Sequence, residues 1–215
     1  MARPIVFGAR YSTYVRSVLL ALEEKGVAYD LQEVDVFRGG GAAPDYLARH
    51  PFGRIPALEH GGFRLYETAA ILRYVDEAFP GPALQPADPA GRARVTQIIG
   101  ILDSYAYRPM VWDIFVERSR GSSEEGTPDE AKIAAAIPKS AVCLRVIAEL
   151  MGEASYLAGD ALTLADLHFV PIFAYLRLTP EGRSLIGAEP AISRWWDAVS
   201  DRPSVAATRF RLEAS

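Results

Sequence analysis

Two places in this sequence put hydroxyl side chains where a helix begins. Ser12 and Thr13 precede Val15, Val18, Leu19 and Leu22, which recur at helical spacing, and Glu67-Thr68 open a second helical run that reaches about Ala78. Serine and threonine are good N-caps, so helix capping alone would account for both. A hydroxyl at the positive end of a helix can also stabilise an anion set against it, and one residue can do both. Ile55-Pro56 lies between the two places, at the start of a strand-like run, where proline removes one backbone donor. Further along, SYAYRPMVWDIF puts Tyr105, Arg108, Trp112 and Phe115 on one face of an ideal helix. That face suits an apolar ligand pocket or core packing equally.

Other chemistries lack their residues. His50, His60 and His168 show no metal-binding spacing and support no Ser-His-Asp order, and no glycine-rich phosphate loop or dinucleotide fingerprint is present. No metal or nucleotide cofactor is expected. The single cysteine, Cys143, cannot form an internal disulfide and falls in mid-helix, where it reads as a small buried apolar residue in a reducing compartment. A net charge of −4 argues against nucleic-acid binding, which needs a basic face. The first residues carry no signal-peptide pattern and no apolar run reaches membrane-spanning length, so no membrane association and a cytoplasmic location are expected.

The elements that must hold these residues follow from hydrophobic period and turn chemistry. A strand over 3–7, a helix over 13–25 closed by Gly26 and a strand within 28–36 make a βαβ unit, whose right-handed crossover implies parallel pairing. A loop or short helix follows. Residues 55–59 and 63–66 then read as a hairpin joined at His60-Gly61-Gly62, followed by the helix from about 67 to 78. The stretch PGPALQPADP breaks both periods, which predicts a first domain over 1–80, a linker over 81–89 and an all-helical domain over 90–215. In the second domain helices are expected roughly over 90–118, 128–151, 163–178 and 188–201. Gly100, Pro109, Pro138 and Pro171 should kink or interrupt them.

Three stretches, VFGARYSTYVRSVLLALEEKG, RHPFGRIPALEHGGFRLYETAAILRYV and YLAGDALTLADLHFVPIFAYL, resemble the cytosolic glutathione S-transferase family, and most closely its serine-type phi class. The resemblance covers nearly the whole chain. It implies α/β plus all-α architecture: an N-terminal thioredoxin-like βαβ-ββα domain and a C-terminal helical bundle. The implied activity is conjugation of the glutathione thiolate to small hydrophobic electrophiles, with glutathione as co-substrate, no metal, and a homodimer with Phe52 in its interface. A non-catalytic glutathione-binding or regulatory protein on the same fold is the alternative.

Residue by residue, the resemblance makes Ser12 the hydroxyl that holds the sulfur, with Tyr11, Thr13 and Tyr14 as rivals one or two positions away. It implies a cis Ile55-Pro56 bond that turns the Ile55 backbone toward the peptide. Thr68 and the helix start would bind the γ-glutamyl carboxylate, with Glu67 on its ammonium. Arg54 stands where the class has glutamine. The class carries histidine and lysine near Gly39-Gly41, and here only Arg38 could substitute at the glycyl end. Tyr11, Tyr105, Trp112, Phe115 and Tyr175 would line the electrophile pocket. Thr163 and Asp166 resemble the family's capping box, with Leu162 and Leu167 as a hydrophobic staple.

Overall fold

A computed structural model describes residues 2–37, 42–120 and 126–210. These form two compact units, one reaching Leu84 and adding Pro203–Phe210, the other Gln85–Arg202.

The first unit is a four-stranded sheet in the order β2-β1-β3-β4. Strand β1 (Ile5–Phe7) leads to helix α1 (Thr13–Glu24) and the parallel edge strand β2 (Asp30–Gln32); helix α2 (Pro44–Leu47) follows. Strands β3 (Ala57–His60) and β4 (Phe63–Tyr66) then form an antiparallel hairpin before helix α3 (Thr68–Ala78). The hairpin turns on Gly61 and Gly62, with φ of 56° and 87°, the conformation a two-residue connection requires. At the end of α1, Gly26 takes φ of 66°, and the N–H groups of Val27 and Gly26 bond the carbonyls of Leu22 and Glu23, a Schellman closure. Buried Val15, Val18, Leu19 and Leu22 of α1 and Ile71, Leu72 and Val75 of α3 belong to one core, each contributing about 1.5–3 kcal/mol through burial.

The domain boundary differs from the sequence expectation at the C-terminus. Residues 203–210 joined the helical domain in that reading, whereas a short helix, Pro203–Ala207, belongs to the first unit. Buried Arg16 of α1 explains this, since its Nε and Nη2 donate to Thr208 Oγ1 and the Val205 carbonyl, both at 3.4 Å, and Ser204 Oγ donates to the Glu24 carboxylate. A second buried cation, Lys25, donates to Asp76 Oδ1 (3.2 Å) and to the carbonyls of Asp76 (2.9 Å) and Pro82 (3.0 Å). The chain leaving α3 is thereby tied to the end of α1.

In the second unit α4 runs over residues 89–120, α-helical over Pro89–Ile101, π-helical over Leu102–Ala106 and Arg108–Val116, and α-helical again over Glu117–Arg120. Pro109 lies in the π-helical part, where it lacks the N–H of the ordinary ladder and the wider turn accommodates it. Helix α5 (Glu130–Met151) runs through Pro138 and α6 (Leu164–Leu176) through Pro171, so neither proline interrupts its helix. Helices α7 (Pro180–Gly187) and α8 (Pro190–Val199) complete the unit. The sequence reading missed α7, although Thr179 as N-cap with proline next was a start signal.

All thirteen residues of α6 are buried, as expected of a central helix apolar on every side. Its one carboxylate, Asp166, accepts from the N–H groups of Leu157 (2.8 Å) and Thr163 (2.7 Å), the Thr163 hydroxyl (2.8 Å) and Trp195 Nε1 (2.8 Å). Burial pushes its carboxyl up, and these donors oppose that by favouring the charged form. The Thr163–Asp166 pairing therefore caps α6 and also holds Trp195. Where α4 meets α5, Glu117 is buried and accepts from Lys132 Nζ at 2.5 Å, while Arg118 bridges Glu130 and Glu181.

Two outcomes follow from these ion pairs. Lys25→Met leaves Asp76 charged and buried, and should cost about 3–5 kcal/mol of unfolding free energy in urea, with Lys25→Met/Asp76→Asn recovering part of it. Hydrogen bonds from Lys132 and Arg118 hold Glu117, Glu130 and Glu181 below the usual carboxylate range. A depressed folded-state pKa contributes stability that is present above the unfolded value of about 4.3 and lost as pH falls through the folded one. The urea midpoint should therefore drop between pH 5 and about pH 3, and Glu117→Gln should flatten that drop. An unchanged slope would contradict the assignment.

Candidate functional site

Three segments of the first unit converge through the sheet. Phe7, the last residue of β1, pairs with Ala57 of β3, so the chain leaving β1 runs beside the chain entering β3. Gly8 makes the approach possible: a Cβ there would lie 2.4 Å from Val15 Cγ2 and 3.3 Å from Ile55 Cβ. The first turn of α1 and the Ile55-Pro56 segment are adjacent because residue 8 has no side chain.

Ser12 is the N-cap of α1, with extended backbone (φ −73°, ψ 124°) and Oγ accepting from the Val15 N–H at 3.3 Å. That bond uses an acceptor lone pair and leaves the hydroxyl proton undonated to any described residue. The rivals differ. Tyr11 donates its phenol to Asp35 Oδ1 at 2.8 Å, and the same oxygen accepts the Phe37 N–H at 2.9 Å. Thr13 is the first helical residue, and its Oγ1 is buried with no hydrogen-bond partner. Tyr14 lies within α1, half-buried. Asp35 was not singled out in the sequence, and its partner stands 24 residues away.

The Ile55-Pro56 bond is cis. Both residues are buried, and the Arg54 carbonyl ahead of them accepts from Tyr46 Oη at 2.6 Å. Neither backbone group of Ile55 hydrogen-bonds within the described residues. Arg54 itself is exposed. Nearby His50 is buried against Tyr66, with ring centres 4.9 Å apart, and desolvation pushes its imidazole below the ordinary value. Arg38 and the glycine run after it lie outside the described residues.

The start of α3 departs from the expected cap by one position. Glu67, not Thr68, is the N-cap, and Thr68 is the first helical residue, 7% exposed. Glu67 has φ of 70°, the one non-glycine residue at positive φ among those described. A non-glycine residue there costs of order 1 kcal/mol or more, and such conformations cluster at ligand sites. No side chain caps this helix, so its first N–H groups keep their attraction for an anion.

The aromatic stretch of α4 does not form the single face expected. Tyr105 is 66% exposed, while Phe115 is buried and stacked on Tyr175 with ring centres 4.2 Å apart and planes at 14°. Trp112 is half-buried and donates to Tyr107 Oη at 3.0 Å, and Arg108 pairs with Asp113 at 2.9 Å. The π-helical turn is wider than the 3.6 residues that the face assumed, so the positions separate. Phe115 and Tyr175 pack the core of the second unit.

An open concavity of about 700 Å³ in the first unit lies elsewhere, lined by Arg10, Glu23, Tyr29 and Asp30. Tyr29 there bonds Glu23 at 2.9 Å, with its phenol pushed up to about 12 by burial and that carboxylate. No candidate side chain points to it as the reactive centre. Among the described residues no cluster of His, Cys, Asp or Glu could hold a metal, and no helix is long and apolar enough to cross a membrane.

Comparison with known proteins agrees with this geometry. Residues 6–83 match the model of the glutathione S-transferase N-terminal domain and 102–203 that of the C-terminal domain. Glutathione S-transferase F6 of Arabidopsis thaliana is 33% identical, over 95% of this chain and 98% of its own. The crystal structure of glutathione transferase F7 from Populus trichocarpa has a TM-score of 0.85 at 32% identity, covering 95% of this chain and 97% of that one. Glutathione S-transferase I from maize, solved with an atrazine glutathione conjugate, has a TM-score of 0.82 at 29% identity, covering 96% of each chain. A thioredoxin-like sheet with a cis proline ahead of β3, an all-helical second unit and full-length likeness to F-type enzymes together make this chain a member of the glutathione S-transferase family.

Proposed function

We propose that this protein joins the thiol of glutathione to small apolar electrophiles, with Ser12 holding the sulfur as thiolate. The state of Ser12 carries the reading: its oxygen caps α1 while its proton stays available. The cysteinyl backbone of glutathione pairs with the unpaired N–H and carbonyl of Ile55 as a short added strand. Its γ-glutamyl carboxylate sits at the uncapped start of α3 beside Thr68, and Glu67 takes the ammonium. Exposed Arg54 is a cation for a glutathione carboxylate. Arg38, proposed for the glycyl end, lies outside the described residues. For the electrophile, Tyr11 is the aromatic contact proposed in the first unit and half-buried Trp112 the one proposed in the second, where Phe115 and Tyr175 are buried in the core and Tyr105 is exposed.

In the reaction the thiol proton leaves to water and the thiolate forms a carbon–sulfur bond. A leaving group departs with the electron pair, or a polarised double bond accepts it. A thiol of pKa about 8.5 is about 3% ionised at pH 7, and lowering it by about two units raises that to roughly three quarters. Nucleophilicity falls with pKa at a slope of about 0.4–0.5, which removes a factor of about 6–10 from that gain. Thiolate stabilisation alone therefore yields only a few-fold. Holding the electrophile against the sulfur must supply the rest.

Conjugation of glutathione to a chlorodinitrobenzene-type substrate tests the assignment. Ser12→Ala removes a hydrogen bond to the charged sulfur, worth about 1.5–3 kcal/mol, so kcat/KM should fall about 10- to 100-fold. The thiol pKa in the complex should rise with it, moving the pH–rate profile to higher pH. Tyr11→Phe should keep that profile, because its phenol already donates to Asp35. Full activity in Ser12→Ala would overturn the role, and retention on immobilised glutathione without turnover would favour a non-catalytic ligand carrier.

A cytosolic homodimer is also proposed. Phe52 is 70% exposed yet fixed edge-on against His50 and Tyr66, at 6.2 Å from each ring centre, a pre-ordered aromatic anchor for a second copy. Light scattering should give twice the chain mass for the wild type and a shift toward monomer for Phe52→Ala. A monomeric wild type would count against it.

A further inference from the structure

Two side-chain bonds in the middle of α4 join residues five positions apart. Trp112 Nε1 donates to Tyr107 Oη at 3.0 Å, and Arg108 Nε donates to Asp113 Oδ1 at 2.9 Å. On an α-helix of about 3.6 residues per turn, positions five apart point about 140° away from each other, and it is positions three or four apart that meet. Both pairs close because α4 is π-helical here, with the Tyr107 N–H bonding the Leu102 carbonyl five residues back. Pro109 favours the same geometry: it has no N–H for the α-helical ladder, and in an α-helix its ring would meet the carbonyl of Tyr105. Backbone and side chains thus agree on the wide turn.

The two clasps are unequal. The Arg108 side chain is 68% exposed, and an ion pair in that setting contributes little, although Asp113 is also 3.6 Å from Lys132 of α5. Tyr107 and Trp112 are both half-buried, and an indole has a single N–H, so the bond to Tyr107 fixes the direction of its nitrogen edge. A ring held in one orientation before a ligand arrives loses little entropy when it is used, and an aromatic partner gains most when offset-stacked or edge-on against such a ring.

We propose that Tyr107 is a positioning residue for the electrophile site: its phenol oxygen holds the Trp112 indole in the orientation that receives an aromatic electrophile. Tyr107 acts through the indole and not on the substrate. This rests on Trp112 being the electrophile contact of the second unit.

Tyr107→Phe, which removes the acceptor and keeps the ring, tests it by two independent measurements. In proton–nitrogen correlation spectra, the indole N–H signal that Trp112→Leu deletes should move in Tyr107→Phe, while the signals of Trp195 and Trp196 stay and report an intact unit. In conjugation of 1-chloro-2,4-dinitrobenzene, the KM for this electrophile should rise about 3- to 10-fold, as loss of one neutral hydrogen bond does, with the KM for glutathione unchanged. In a Trp112→Leu background Tyr107→Phe should have no further effect, because the partner is gone. An unmoved Trp112 signal, a rise in both KM values together, or the same effect in both backgrounds would each overturn the positioning role. If Trp112→Leu raises the electrophile KM and Tyr107→Phe does not, the positioning role alone fails; if Trp112→Leu leaves that KM unchanged, the electrophile contact fails and takes the positioning role with it.

Discussion

A helix cannot satisfy the N–H groups of its own first turn, and a strand entry cannot satisfy its backbone until a neighbour arrives. The candidate site in the first unit is assembled from such groups. At α1 the cap is Ser12, whose hydroxyl accepts one N–H and still has a proton to give. At α3 no side chain caps the helix, and Glu67 adopts a left-handed conformation where the chain enters it. Before β3, Ile55 presents an N–H and a carbonyl with no intramolecular partner. Three sets of unmet backbone or capping capacity lie around one end of a small sheet, and a peptide that is itself zwitterionic and strand-like has the matching groups.

The rest of the first unit keeps those segments in register. Antiparallel pairing of Phe7 with Ala57 brings the ends of β1 and β3 together, and the missing side chain at Gly8 lets α1 approach. Two buried cations then fasten the far side: Arg16 takes hold of the returning C-terminal segment, and Lys25 the chain beyond α3. Both make several hydrogen bonds, which a buried charge needs if its desolvation is to be offset. Rigidity there matters because a displacement of about 1 Å in the reacting groups can cost a hundredfold in rate.

The second unit treats its polar groups in the opposite way. Asp166 collects four donors and leaves Trp195 and the start of α6 satisfied, and Glu117 is enclosed by its own cations. Nothing about these carboxylates is left over for a ligand.

Local chemistry in the sequence determined the order and type of most elements, because the signals act within about four residues. The period of Val15 to Leu22, the Gly26 closure, the Gly61-Gly62 turn and the proline break after Phe79 each report on immediate neighbours. They also determined that hydroxyls stand at helix starts, and hence which residues were candidates. What they could not contain was any bond between distant positions. That Tyr11 is occupied by Asp35, that residues 203–210 return to Arg16, and that Thr68 is the first helical residue instead of the cap were decided by the packed fold. The same holds for the wide turn around Pro109, which sent Tyr105 outward and Phe115 inward. Hydrophobic period assumes an ideal helix, and only tertiary packing determines where the helix departs from it.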